Sequence, residues 1–67
     1  MSRDEIIKSL LPIESDLVFL GELYEMTLRR LPDKDGLQFY YQKLVDGVPR
    51  ADLIDIFLNS DEFKGLS

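Results

Sequence analysis

The sequence predicts an all-α fold, a small bundle of four helices closed by a short C-terminal helical turn. Three observations lead there. Apolar residues recur three and four positions apart in four stretches. A proline or a glycine stands at each junction between those stretches. No run alternates apolar and polar residues as a half-buried strand would.

The first stretch opens with Ser2 and, three residues on, Glu5, the spacing of a capping box. Behind it Ile6, Ile7, Leu10 and Leu11 share one side of a short helix, and Pro12 ends it because proline lacks the amide donor and clashes with the preceding turn. The second helix is expected from about Ser15 to Leu31, with the stripe Leu17, Leu20, Tyr24, Leu28 and Leu31 flanked by Leu23 and Thr27. Glu14 and Asp16 at its start and Arg29 and Arg30 at its end match the helix dipole, and Glu25 and Arg29 are spaced for a surface pair. Phe19 and Met26 lie off this stripe, one heptad apart on the opposite face.

After Pro32, Asp33 has the position of an N-cap, Lys34, Asp35 and Gly36 fill the first turn, and Leu37, Tyr40, Tyr41, Leu44 and Val45 form the stripe. Gly47 falls where a left-handed residue closes a helix, and Pro49 suits the first turn of the next. The fourth helix carries Leu53, Ile54, Ile56, Phe57 and Leu58, an arc wide enough to make it central. Ser60 starts the last turn, with Asp61 and Glu62 at its positive end and Phe63 behind them.

Composition narrows the function. Sixty-seven residues make one domain, 1–67, near the lower end of what folds alone, with roughly 3–7 kcal/mol of net stability expected. Without cysteine there is neither a disulfide nor a thiolate metal site, and without histidine the commonest general base and metal ligand are missing. A net charge of −5 with scattered lysines and arginines argues against nucleic acid. The apolar runs are too short to insert in a bilayer or to form a signal-peptide core.

The segment "DKDG" at 33–36 invites comparison with a calcium loop. With Gly36 at the sixth position of such a loop, Asp33 and Asp35 are third and fifth, but Leu31 is first and Gln42 twelfth, so both anchoring ligands are missing. A phosphate cradle would need several glycines and a following lysine, and here the turn is acidic. A capped, dipole-matched helix start accounts for these residues. The many carboxylates lie where solvated helix faces would put them, so neither catalysis nor a cofactor or metal is expected. Tyr24, Tyr40, Tyr41, Phe57 and Phe63 read as core. Phe19 and Met26 form a contact patch unless the first helix covers them, and Phe39 points away from the stripe of the third helix.

Taken in order, Leu23-Tyr24, Leu28 to Arg30, Pro32-Asp33, Gly36-Leu37, Phe39-Tyr40, Leu44, Gly47, Phe57 and "SDEF" at 60–63 resemble a bacterial family of small helical domains, the domain of unknown function DUF4214. The likeness spans 20–63. Tyr40 stands where the family often has tryptophan, and the helix of residues 1–12 lies outside the motifs, as an extension. The resemblance implies a fold similar to phycobilisome linker domains and a setting beside enzymes of surface-glycan synthesis or within surface proteins. It also implies that Arg30 ties its helix end to Glu62 or Asp33, a structural pair like the caps at Ser2, Glu5 and Ser60. The expected function is a non-catalytic interaction or oligomerisation module, with Phe19, Met26, Phe39, Ile7 and Leu11 as contact candidates. The alternative is a glycan-binding accessory module using Phe39, Gln42 and Asp46, which follow one side of the third helix. Attachment to a synthesis enzyme would place the chain in the cytoplasm; otherwise it would be secreted or at the cell surface.

Overall fold

A computed structural model of the chain describes residues 2–65, and every regular element among them is a helix. The order is α1 (Arg3–Leu10), α2 (Asp16–Leu28), α3 (Lys34–Val45), α4 (Arg50–Leu58) and the one-turn α5 (Asp61–Gly65).

Local chemistry sets the ends. At α1 the Glu5 amide donates to Ser2 Oγ at 3.3 Å and the Ser2 hydroxyl donates back to the Glu5 carboxylate at 3.3 Å, satisfying one of the free amides of the first turn. Ser15 caps α2 in the same way through the Val18 amide. That helix ends at Leu28, not at Leu31, because Arg29 turns left-handed at φ 58°. A residue with a Cβ pays about 1–2 kcal/mol there. The turn also takes Arg29 out of α2, and among the described residues it forms no pair with Glu25. Asp33 is the N-cap of α3 by backbone position but its side chain caps nothing; the carboxylate instead faces Arg30 at 3.7 Å. At the far end of α3 the Val48 amide reaches Lys43 O at 3.0 Å and the Gly47 amide reaches Leu44 O at 3.1 Å. These two bonds close the helix through Gly47 at φ 98°. Pro49 is the N-cap of α4, one residue before the position expected from the sequence.

Packing is organised by α2, which touches each of the other four helices. Its buried residues, Phe19, Leu20, Leu23, Tyr24, Thr27 and Leu28, therefore spread over about half of its circumference. Thr27 is tolerated because its hydroxyl donates to Leu23 O at 2.6 Å. Ile6 and Leu10 of α1 and Leu53, Ile54 and Phe57 of α4 complete the core. Each such side chain contributes about 1.5–3 kcal/mol by leaving water.

Two expectations are corrected here. Phe19 is completely buried, so it belongs to the core and no partner reaches it in the folded chain. The one-stripe reading also put Leu17, Leu31, Tyr41, Val45 and Ile56 inside, whereas all five are exposed. Leu31 is the extreme at 70%, since α2 has already ended before it.

Candidate functional site

Two arginines organise the loops, and each lies over an aromatic ring. Arg50 opens α4 with its guanidinium carbon 4.7 Å from the centre of the Phe19 ring. Its Nε and Nη2 donate to Asp16 at 3.1 and 2.6 Å, and Nη2 also reaches Glu14 O at 3.1 Å. Nη1 donates to Leu11 O and Ile13 O. The side chain thereby satisfies carbonyls of the loop between α1 and α2 that no helix could. Sequence reasoning passed over Arg50, because carbonyl partners in a distant loop leave no local signature.

Arg30 follows α2. Its guanidinium carbon lies 5.1 Å from the centre of the Tyr24 ring. Nε and Nη2 bind the two Glu62 oxygens at 2.7 and 3.0 Å, and Nη1 reaches Leu31 O at 3.3 Å. The bidentate hydrogen bonds hold the Glu62 carboxyl below its ordinary pKa, and raise that of Arg30. Ser60 stands next to this pair. Its hydroxyl donates to Phe57 O at 2.7 Å and accepts from the Phe63 amide at 3.1 Å, joining α4 to α5.

A half-open cleft of about 110 Å³ lies between these groups, lined by Tyr24, Leu28, Tyr40 and Phe57 on its aromatic and aliphatic walls and by Arg30, Ser60 and Glu62 on its polar side. The three rings meet edge-on or tilted: Tyr24 to Phe57 at 5.0 Å, Tyr40 to Phe57 at 4.8 Å and Tyr24 to Tyr40 at 6.3 Å. Tyr24 is 3% exposed, and burial pushes its phenol pKa up, keeping it neutral. Neither tyrosine hydroxyl hydrogen-bonds another group of the described residues.

The glycine of "DKDG" has its explanation here. A Cβ built at position 36 would overlap the Tyr24 hydroxyl and come within 2.7 Å of an Asp33 oxygen. Gly36 leaves room for the phenol; it shapes no metal loop, and no group of metal-binding side chains converges among the described residues.

The remaining candidates are spread out. Ile7 and Met26 are partly buried against the core, and Leu11 is 43% exposed at the end of α1. Phe39 is exposed but carries the Lys43 ammonium 4.7 Å from its ring centre. Gln42 donates to Asp46 at 3.0 Å, so the polar groups expected beside Phe39 are engaged with each other. Tyr41 and Val45 are exposed on another side of α3, and α3 buries no residue fully. Among the described residues no helix is long and apolar enough to cross a membrane.

No curated protein and no solved structure matches the chain. A family match does exist, and it extends over residues 2–67, taking in α1 as well as the motifs of 20–63. Covering the helix that buries Ile6 and Leu10 as well as the Tyr24, Gly36 and Arg30 neighbourhood, it places the chain in the family described as domain of unknown function DUF4214.

Proposed function

We propose that the chain is a non-catalytic helical interaction module that associates with a second copy of itself through α3. The observation behind this is that α3 buries none of its residues fully, although Leu37, Tyr41, Leu44 and Val45 recur at helical spacing along it. Leu37 and Leu44 lean partly on the core, and Tyr41 and Val45, at 39% and 59% exposure, continue the stripe outward. A stripe of this kind is self-complementary, as a two-fold interface requires. The net charge of −5 on each copy opposes the contact, so association is weak and strengthens with salt. The setting in surface-glycan proteins follows from the resemblance of the motifs alone.

Light scattering from about 10 µM to about 1 mM protein, at low and high salt, tests this reading. Mass rising with concentration, more steeply at high salt and abolished by Tyr41→Glu with Val45→Glu, is the expected result. A strict monomer throughout sinks it. Both substituted positions are exposed, so the double variant stays folded.

A further inference from the structure

We infer that the cleft between Tyr24, Tyr40 and the Arg30–Glu62 pair is a binding site for one ring of a neutral saccharide. The inference is independent of self-association through α3, because the cleft lies on the core side of that helix and Tyr41 and Val45 do not line it.

Three properties of the cleft select the ligand. The first is room. On the same measure of volume a single water needs about 10–15 Å³, so the cleft has room for several waters or for a ring edge in their place. The second is unused polarity. Tyr24 is almost wholly buried, yet its hydroxyl, like that of Tyr40, has no partner among the described residues. Among the described residues no side-chain oxygen is left both buried and unpartnered, so these hydroxyls meet solvent at the cleft, where a ligand hydroxyl can take the place of water. The third is charge balance. The Arg30 cation is already countered by Glu62 through two hydrogen bonds and by Asp33 at 3.7 Å, so the cleft offers no uncompensated positive charge.

That pairing discriminates between ligand classes. A carboxylate or phosphate would have to displace Glu62 from Arg30. An ammonium would find the Tyr24 ring face already covered by the guanidinium, and, having no acceptor, it could use only the outer lone pairs of Glu62 and not the donor capacity of the tyrosine hydroxyls. A hydroxyl both donates and accepts, so adjacent sugar hydroxyls can add to the outer lone pairs of Glu62 and to a tyrosine hydroxyl without breaking the pair. The C–H edge of the ring would lie against Leu28 and the aromatic side chains, as apolar sugar faces do. Ser60 contributes shape only, since its hydroxyl is already engaged in both directions.

The test is amide-resolved NMR of the whole chain with methyl glucoside, methyl galactoside and methyl mannoside, and with acetate and methylammonium in parallel. A ligand of this size in an open cleft binds with a dissociation constant on the order of millimolar. The expected result is a saturable shift at Arg30 and at residues 60–62 with at least one glycoside. Tyr40→Phe and Tyr24→Phe, each removing a single oxygen, should weaken it by about tenfold, the scale of one hydrogen bond. Both variants should keep the wild-type spectrum elsewhere, and if Tyr24→Phe does not, Tyr40→Phe carries the test alone. No response to any glycoside at about a hundred times that concentration overturns the proposal. So does a response to acetate or methylammonium only, which would make the cleft an ion site, or a response centred on Phe39, Gln42 and Asp46. Tyr41→Glu with Val45→Glu leaves the glycoside response intact, which separates this outcome from that of self-association.

Discussion

Arg50 and Arg30 are built from the same parts and have different consequences. Each places a guanidinium over an aromatic ring of α2 and binds a carboxylate. Arg50, with a side chain 18% exposed, spends most of its donors on backbone carbonyls and covers Phe19, which is fully buried. Arg30, with a side chain 42% exposed, spends its donors mainly on another side chain and leaves a cleft beside the ring it covers. The difference lies in what is left over. An arginine that satisfies main-chain carbonyls fixes a loop, whereas one that meets a flexible carboxylate at the surface leaves hydrogen-bonding capacity facing water.

The contrast breaks most readily at the rings. Phe19→Ala should cost about 3–5 kcal/mol, comparable to the whole stability of a domain this size, and leave the chain largely unfolded by circular dichroism. Survival of a folded Phe19→Ala variant would show that the Arg50 side of the molecule does not depend on its ring.

Next come the arginines. Arg50→Ala should lower stability by about 2–3 kcal/mol in urea denaturation, through the stranded carbonyls and the loss of Asp16 as a partner. Arg30→Ala should lower it far less, since exposed pairs contribute little. Equal losses would erase the distinction.

Gly36→Ala sharpens the comparison on the Arg30 side. Helix propensity favours alanine by about 1 kcal/mol, but overlap with the Tyr24 hydroxyl should outweigh that, for a net loss of about 1 kcal/mol. In the Tyr24→Phe background the overlap with the ring hydroxyl is gone, and the remaining close approach is to the exposed Asp33 side chain, which can turn away, so the same substitution should become neutral or stabilising. A double-mutant cycle by thermal melting measures the coupling, and simple additivity would refute the steric account.

The smallest effect concerns acid. Glu62 has its carboxyl pKa held below the reference value of 4.5, chiefly by the hydrogen bond from Arg30, and Asp55 is lowered likewise by Arg3. Their stabilisation is therefore complete above the unfolded-state pKa and disappears as pH falls through the lower folded-state value. Stability against urea should change little from pH 7 to about 5 on their account, then decline, with a shallower decline in Arg30→Gln.

The sequence and the structure agree at several local caps and differ at two positions, Arg29, whose left-handed turn ends α2 early, and Asp33, whose side chain caps nothing. Ser2, Ser15 and Ser60 cap their helices through neighbours three residues away, and Gly47 closes α3 within its own turn. Agreement fails where the cause is tertiary. A narrow stripe describes a helix packed against one neighbour, but α2 meets four helices over about half of its circumference, so Phe19, at the edge of that arc, lies outside the stripe and is core. The Arg30–Glu62 contact, between residues 32 apart, was approached only through the order of family motifs. Arg50 and the closeness of Gly36 to Tyr24 had no sequence signal, since both depend on where two helices meet.

The contact between positions 24 and 36 also constrains descent. A lineage that gains a side chain at 36 while it keeps a hydroxyl at 24 loses stability, because the two compete for the same space. Among relatives the two sites should therefore change together: glycine with tyrosine, or a small residue with phenylalanine. The order of change is biased as well, loss of the hydroxyl before gain of the methyl being the less costly route. A turn that resembles a metal loop thus preserves the record of a ring packed against a helix.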